Sequence, residues 1–229
     1  MNFGQIKTGK GNYTIINADD INRIARVKAF EESYLNDMLY EYHKQLLLYA
    51  KNRNNNKEVG FFWNLKDSTA KPLIIKGKID GFNIDDNTEV SKLVKNPYNI
   101  MSVVMMHNHP RNGMFSGKDI RSFTDLNSIR LMTAVCNDGT IHMMRKEWNF
   151  NPFLIDKYYN EGVLLSYKAA SEEKEHKAKK LGLSINNPND IQKINQLNTK
   201  AYYYGIKNVV KHAKDIGITY RCSVKKKVR

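Results

Sequence analysis

The chain predicts an α/β fold: a mixed sheet of about five strands with flanking helices, set between a helical N-terminal segment and a helical, basic C-terminal region. Three observations predict it. From position 58 to about 145 the sequence falls into short apolar runs separated by turn residues. Residues 100–106 are almost wholly apolar, as a strand buried on both faces is. Asn137-Asp138-Gly139 joins two more such runs, 131–136 and 141–144, in the manner of a β-hairpin turn.

Helical order begins early. Asn17 stands as an N-cap, with Asp19 and Asp20 in the first turn where carboxylates suit the helix dipole. Ile21, Ile24, Val27, Phe30, Tyr34, Met38, Tyr42 and Leu46 then recur at three- and four-residue spacing, the stripe of one long helix with room for a single break. The asparagine-rich run 51–57 ends it, because asparagine tolerates turn geometry and disfavours helix interiors. Residues 59–65 read as a strand, 66–68 as a turn and 73–75 as a second strand; 89–95 and 116–126 read as short helices around the central strand 100–106. Pro152 opens a helix that passes Tyr158, Val163, Leu164 and Tyr167 into the charged stretch 172–180. Gly182 and Asn186-Asn187-Pro188 break it, and Asp190 caps a further helix carrying Ile191, Ile194, Leu197 and Tyr202. Residues 218–222 are strand-like, and 223–229 read as a frayed end. The chain therefore divides into an N-terminal helical segment (1–57), a core (58–150) and a helical basic region (151–229).

Composition narrows the function classes. The 229 residues are 41% hydrophobic and 10% aromatic, enough for a core and against wholesale disorder. No run approaches the ~18 apolar residues of a membrane helix, and the first residues lack the apolar stretch of a secretory signal. Cys136 and Cys222 are too few for a disulfide scaffold and fit no CxxC metal pattern, so a protein of a reducing, cytoplasmic compartment with no membrane partner is expected. The net charge is +14, and residues 145–229 hold 18 Lys/Arg against 8 Asp/Glu. Such an excess suits an acidic partner such as DNA, or is simply a solvated basic surface.

One segment carries recognisable chemistry: Met105-Met106-His107-Asn108-His109-Pro110, then Phe115-Ser116-Gly117-Lys118-Asp119. Two histidines at i and i+2 at a strand end face the same side of a sheet, close enough for their imidazoles to share one Zn²⁺. Pro110 lacks a backbone donor and turns the chain out of the sheet. Asp119 returns in the first turn of the next helix as a third, oxygen ligand, and three protein ligands leave one position open for water. The same Ser116-x-x-Asp119 is also the pattern of a helix capping box, and a His-x-His pair can be two hydrogen-bonded core residues.

These residues resemble the JAMM/MPN+ (JAB) metallopeptidase motif, His-x-His-Pro followed by Ser-x-x-Asp, and His107-Asn108-His109-Pro110 is particularly similar to the RadC-like branch of bacteria, phages and mobile elements. The resemblance covers about residues 20–150. It implies a JAB/MPN-like (cytidine-deaminase-like) core and one zinc held by His107, His109 and Asp119. It also implies hydrolysis of an amide or isopeptide bond in a protein or peptide substrate, ubiquitin-like proteins included. Ser116 would support the oxyanion. The family's catalytic glutamate on an early strand would be Glu58, in Glu58-Val59-Gly60; otherwise Glu58 is a surface carboxylate beside Lys57, with Glu89 the nearest substitute. In the family the aspartate stands eleven positions after the second histidine, whereas Asp119 is ten after His109, the shortening falling in 111–115. A RadC-like protein holding DNA through the basic C-terminal region is the alternative. His43 and His176 read as residues of solvated helix faces, His142 as packed, Cys136 as core, and Tyr202-Tyr203-Tyr204 as a helix-packing cluster or a base-stacking one.

Overall fold

A computed structural model describes residues 14–67, 69, 71–184, 186–197 and 204–224. The chain forms two compact units, Met1–Asn151 together with Ala213–Arg229, and Pro152–His212. The first is an α/β unit built on a six-stranded mixed sheet in the order β2-β1-β3-β4-β5-β6. The strands are β1 (Val59–Asn64), β2 (Leu73–Lys76), β3 (Val103–His109), β4 (Ile129–Cys136), β5 (Ile141–Lys146) and β6 (Ile218–Ser223). All neighbours are antiparallel except β3 and β4. That one parallel pair needs a crossover, which helix α4 (Gly117–Asp125) supplies.

The N-terminal stripe, expected as one long helix with room for a single break, is broken into two helices, α1 (Ala18–Asn22) and α2 (Ser33–Arg53). Asn36 explains the gap: its side-chain oxygen accepts from the amides of Ala29 (2.7 Å) and Phe30 (3.0 Å), and its amide donates to the carbonyls of Phe30 and Glu32. With those backbone groups satisfied locally the segment has no need of helix, while Ile24, Val27 and Phe30 still reach the core. His43 is a second correction. It is fully buried on α2 with Nε2 3.0 Å from Thr133 Oγ1, and burial holds its pKa down to about 3.

Strand pleating sorts the sheet into two faces. Val59, Phe61, Trp63, Val104, Met106, Leu131, Val135, Ile141 and Met143 pack with Leu39, Leu46, Leu47 and Ala50 of α2. Glu58, His107, His109, Ala134 and His142 alternate with these residues and so belong to the other face. β3 also differs from the expected 100–106. It starts at Val103, after a turn in which Met101 has φ 47, and runs on to His109. The polar His107-Asn108-His109 stays in the sheet because β4 pairs with all three residues and β1 with His107, and this extension is what delivers the histidines.

The last strand-like piece is the sixth strand: β6 pairs with β5 from Ile141↔Ser223 to Lys146↔Ile218. Ala213–Arg229 thus goes with the sheet rather than with the helices that precede it. The second unit comprises α5 (Pro152–Lys180), α6 (Pro188–Gln196) and α7 (Tyr204–Lys211). α5 and α7 meet backbone to backbone at Gly162, where a Cβ would come within 2.2 Å of the Tyr204 carbonyl oxygen. Tyr158 and His212 stack there at 4.0 Å between centroids. Tyr202 and Tyr203 lie outside the described residues. Among the described residues no helix is long and apolar enough to cross a membrane. Cys136 is buried and Cys222 exposed, both free.

Lys146 sits at the end of β5, 1% exposed. Its ammonium donates to the Leu126 carbonyl (3.0 Å) and lies over the rings of Phe123 and Phe150. Burial pushes its pKa down to about 8, against the attraction of Asp125. Between about 8 and the unfolded value near 10.5, the unfolded chain carries a proton that the folded chain has released, so this residue's contribution to stability rises with pH across that window. Urea unfolding at about pH 7.5 and about pH 9.5 should show the parent gaining roughly 1–2 kcal/mol on a Lys146→Met variant. An equal pH response of the two proteins would exclude a depressed lysine.

Candidate metal centre

The centre forms where β3 leaves the sheet. His107 and His109 project from the same face, two residues apart, and the chain then turns through Pro110–Phe115 into α4. Ser116 is the N-cap of α4: its hydroxyl accepts from the Asp119 amide (3.2 Å), and Asp119 Oδ2 accepts from the Ser116 amide (2.6 Å). The capping box is therefore real, and it does not compete with a role in the centre. The locked carboxylate presents Oδ1 3.3 Å from His107 Nε2 and Oδ2 3.4 Å from His109 Nε2, and the two imidazole nitrogens stand 2.9 Å apart. One donor atom from each of the three residues lies within 4.8 Å of the others, so the group could hold a metal ion.

The surroundings fix how these donors point. His109 Nδ1 donates to the Gly113 carbonyl at 2.7 Å, which leaves Nε2 to face the cluster. The His107 ring is buried between Phe82 and Phe115, with centroids 6.2 and 6.3 Å away, and its Nδ1 has no hydrogen-bond partner among the described residues. Burial works against charge on His109, but the hydrogen bond and charge of Asp119, with that of Glu58, raise its pKa to about 9. Burial likewise opposes ionisation of Asp119, yet the two histidines hold its carboxyl well below the usual range. The Asp119 charge is thus met by the two histidines that face it.

Glu58 precedes β1. Antiparallel pairing of β1 with β3 ends at Gly60↔His107, and two residues further back the alternation puts Glu58 on the face that carries His109. It is 7% exposed, and burial raises its pKa against the attraction of His107 and His109. Between them, Gly60 leaves room for a ring: a Cβ there would meet Phe82 Cζ at 2.6 Å. Ser116 is exposed at the helix start, and the side chains of His109 and Asp119 keep a small solvent-facing edge. Glu89 lies apart, exposed in the first turn of α3 (Thr88–Lys95).

All five residues singled out by motif, His107, His109, Asp119, Ser116 and Glu58, thus gather at one place. Sequence reasoning missed the residues that shape it. Phe82 and Phe115 wall His107, and Asn108 and Asn137 brace the backbone beneath. No periodicity marks them, although Asn108 stands inside the His-x-His triplet. His142 also lies nearby, its ring 6.4 Å from that of Phe115 and its Nδ1 2.9 Å from the Tyr220 hydroxyl; burial, then the charge of His109, lowers its pKa to about 4. The chain matches no protein-family model, no curated protein and no solved structure.

Removing one outer support of a metal site costs 10- to 100-fold in affinity, and removing a ligand costs more. Titration with Co²⁺ or Zn²⁺ should therefore find Asp119→Asn weakened by more than ~100-fold, with one ion bound per parent chain. Unchanged affinity would remove Asp119 from the ligand set.

Proposed function

We propose that the protein is a zinc-dependent peptidase or isopeptidase of the JAMM type, hydrolysing an amide bond in a protein or peptide substrate. The observation that carries this reading is the buried Glu58 carboxyl beside a two-nitrogen, one-oxygen donor group. Two imidazoles and a carboxylate are an ordinary catalytic zinc set, and ligand atoms ~2.0–2.1 Å from a tetrahedral zinc stand about 3.3–3.4 Å apart. In this chain the two Nε2 atoms stand 2.9 Å apart, each faces a different oxygen of Asp119 at 3.3 and 3.4 Å, and one donor atom per residue lies within 4.8 Å of the others, so modest closing brings them to that spacing. His107, His109 and Asp119 would hold the ion, which when bound would supply a Lewis acid and lower the pKa of a water.

The chain's own groups divide the remaining work. Glu58 takes a proton from the attacking water and returns it to the leaving amine nitrogen, and its raised pKa suits both transfers. The Ser116 hydroxyl accepts from the Asp119 amide, so its own proton is free to be donated to the developing oxyanion. The Gly113 bond keeps the His109 ring in one orientation, and the rings of Phe82 and Phe115 exclude water behind His107. The resemblance to the JAB family rests on the same five positions.

Association with DNA has net charge behind it and no defined site. Residues 152–212 carry 10 Lys/Arg against 6 Asp/Glu, whereas 213–229 carry 6 against 1. Phosphate-driven binding would therefore draw chiefly on the C-terminal end, and would weaken steeply with salt.

The test is hydrolysis by the zinc-loaded full chain of a pool of internally quenched peptides and of an isopeptide-linked ubiquitin dimer. Glu58→Gln is expected to keep its zinc and lose about 10²–10⁴-fold in rate. A fully active Glu58→Gln removes the proposed base. A zinc-loaded parent that cleaves neither substrate defeats the hydrolase reading.

A further inference from the structure

We infer that Asn108, the residue between the two histidines, is the positioning residue for Glu58, registering the base against the metal ligands through the backbone; the inference rests on the hydrolase reading. Asn108 is completely buried and points to the sheet face opposite His107 and His109. The β1–β3 ladder stops at Gly60↔His107. Past that point the Val59 amide donates to Asn108 Oδ1 at 2.7 Å, and Asn108 Nδ2 reaches the Lys57 carbonyl at 3.3 Å. One carboxamide thus grips both peptides that flank Glu58.

The grip leaves Glu58 little freedom. Its own amide donates to the Lys78 carbonyl (3.0 Å), and its carbonyl accepts from the amides of Gly77 (2.8 Å) and the Asn54 side chain (2.7 Å). The orientation of the Asn108 amide is set from behind, because Nδ2 also donates to Asn137 Oδ1 at 2.8 Å. Asn137 is tied in turn to the carbonyls of Thr14 (2.7 Å) and Asn56 (3.1 Å). Asparagine alone among side chains of this length supplies the acceptor for Val59 and the donors for Lys57 and Asn137 together. Aspartate has no donor, and leucine has neither. Because Asn108 shares its strand with both histidines, a shift of β1 cannot carry Glu58 away from the ligands without breaking these bonds.

The experiment compares the full-length parent with Asn108→Leu, Asn108→Asp, Glu58→Gln and the Asn108→Leu/Glu58→Gln double variant, each loaded with Co²⁺. Misplacing a catalytic group by an ångström costs about 100-fold. In hydrolysis of the quenched-peptide pool, Asn108→Leu should therefore lose about that factor in kcat, with KM and Co²⁺ affinity held within about 3-fold. Added to Glu58→Gln it should cost nothing further. Asn108→Asp keeps the acceptor for Val59 and should retain more activity than the leucine variant; it also serves should the latter not fold. Parent-like kcat in both variants, a full extra loss in the double variant, or Co²⁺ affinity falling in step with kcat would overturn the inference.

A readout independent of turnover is the affinity of acetohydroxamate for the Co²⁺ protein, because that ligand hands its proton to the base. Glu58→Gln and Asn108→Leu should weaken it by the same factor, and the double variant by no more. If the parent cleaves nothing, the hydrolase reading fails while this comparison still decides the positioning claim. Equal hydroxamate affinity in parent and Asn108→Leu, or additive losses, rejects it.

Discussion

A carboxylate that stays ionised while buried is the constraint on which the sheet unit turns. Asp119 is 8% exposed, and burial works against its charge. It remains charged because two histidine nitrogens face its two oxygens and the Ser116 amide donates to it. Leaving such a charge uncompensated is strongly destabilising in protein interiors. The placement of β3, the turn after it and the first turn of α4 are thus parts of one electrostatic solution. The centre is accordingly as much a condition of this fold as a product of it.

The capping box shows how a structural device and a chemical one occupy the same atoms. At an ordinary helix start the carboxylate at the third position satisfies one backbone amide and ends in water. Here the same bond serves a side chain whose oxygens look inward, so helix initiation fixes the carboxylate toward the histidines. The helix N-terminus adds its partial positive charge to the same end. The loop 110–116 is held at its middle, by Gly113 to His109 and by Asn112 to Thr14 and Asp138. The ten-residue step from His109 to Asp119 is long enough to gather His107, His109 and Asp119 at one place.

Legibility in the sequence followed the kind of force involved. The hairpin, the central strand and α4 were readable because hydrophobic period and turn chemistry are local. The stripe left room for one break in the N-terminal helix but not its place, because Asn36 satisfies the backbone of 29–32 through four hydrogen bonds, and an apolar stripe cannot report that side chain. His43 was misread for a related reason: its charged neighbours in sequence face away, while Thr133, ninety positions on, buries it. The sixth strand was visible as a strand, but its pairing with β5 across 71 intervening positions was not. The five motif residues were legible as spacing. The asparagines and aromatic rings around them were not, since their partners are backbone groups and ring edges brought together only by the fold.

The topology explains why this end of this strand carries the cluster. β3 is central, with an antiparallel neighbour on one side and a parallel one on the other, so its carboxyl end faces two different exits. Toward β4 the parallel pairing obliges the chain to leave, form α4 and return, which brings a helix N-terminus back to the strand end; sites in α/β sheets gather at such places for this reason. Toward β1 the antiparallel partner is only beginning there, so a residue just ahead of its first paired position can stand beside the last residue of β3. The parallel side thus delivers Asp119 and the antiparallel side delivers Glu58. A wholly antiparallel sheet could not supply the first by so short a crossover, and a wholly parallel one could not supply the second.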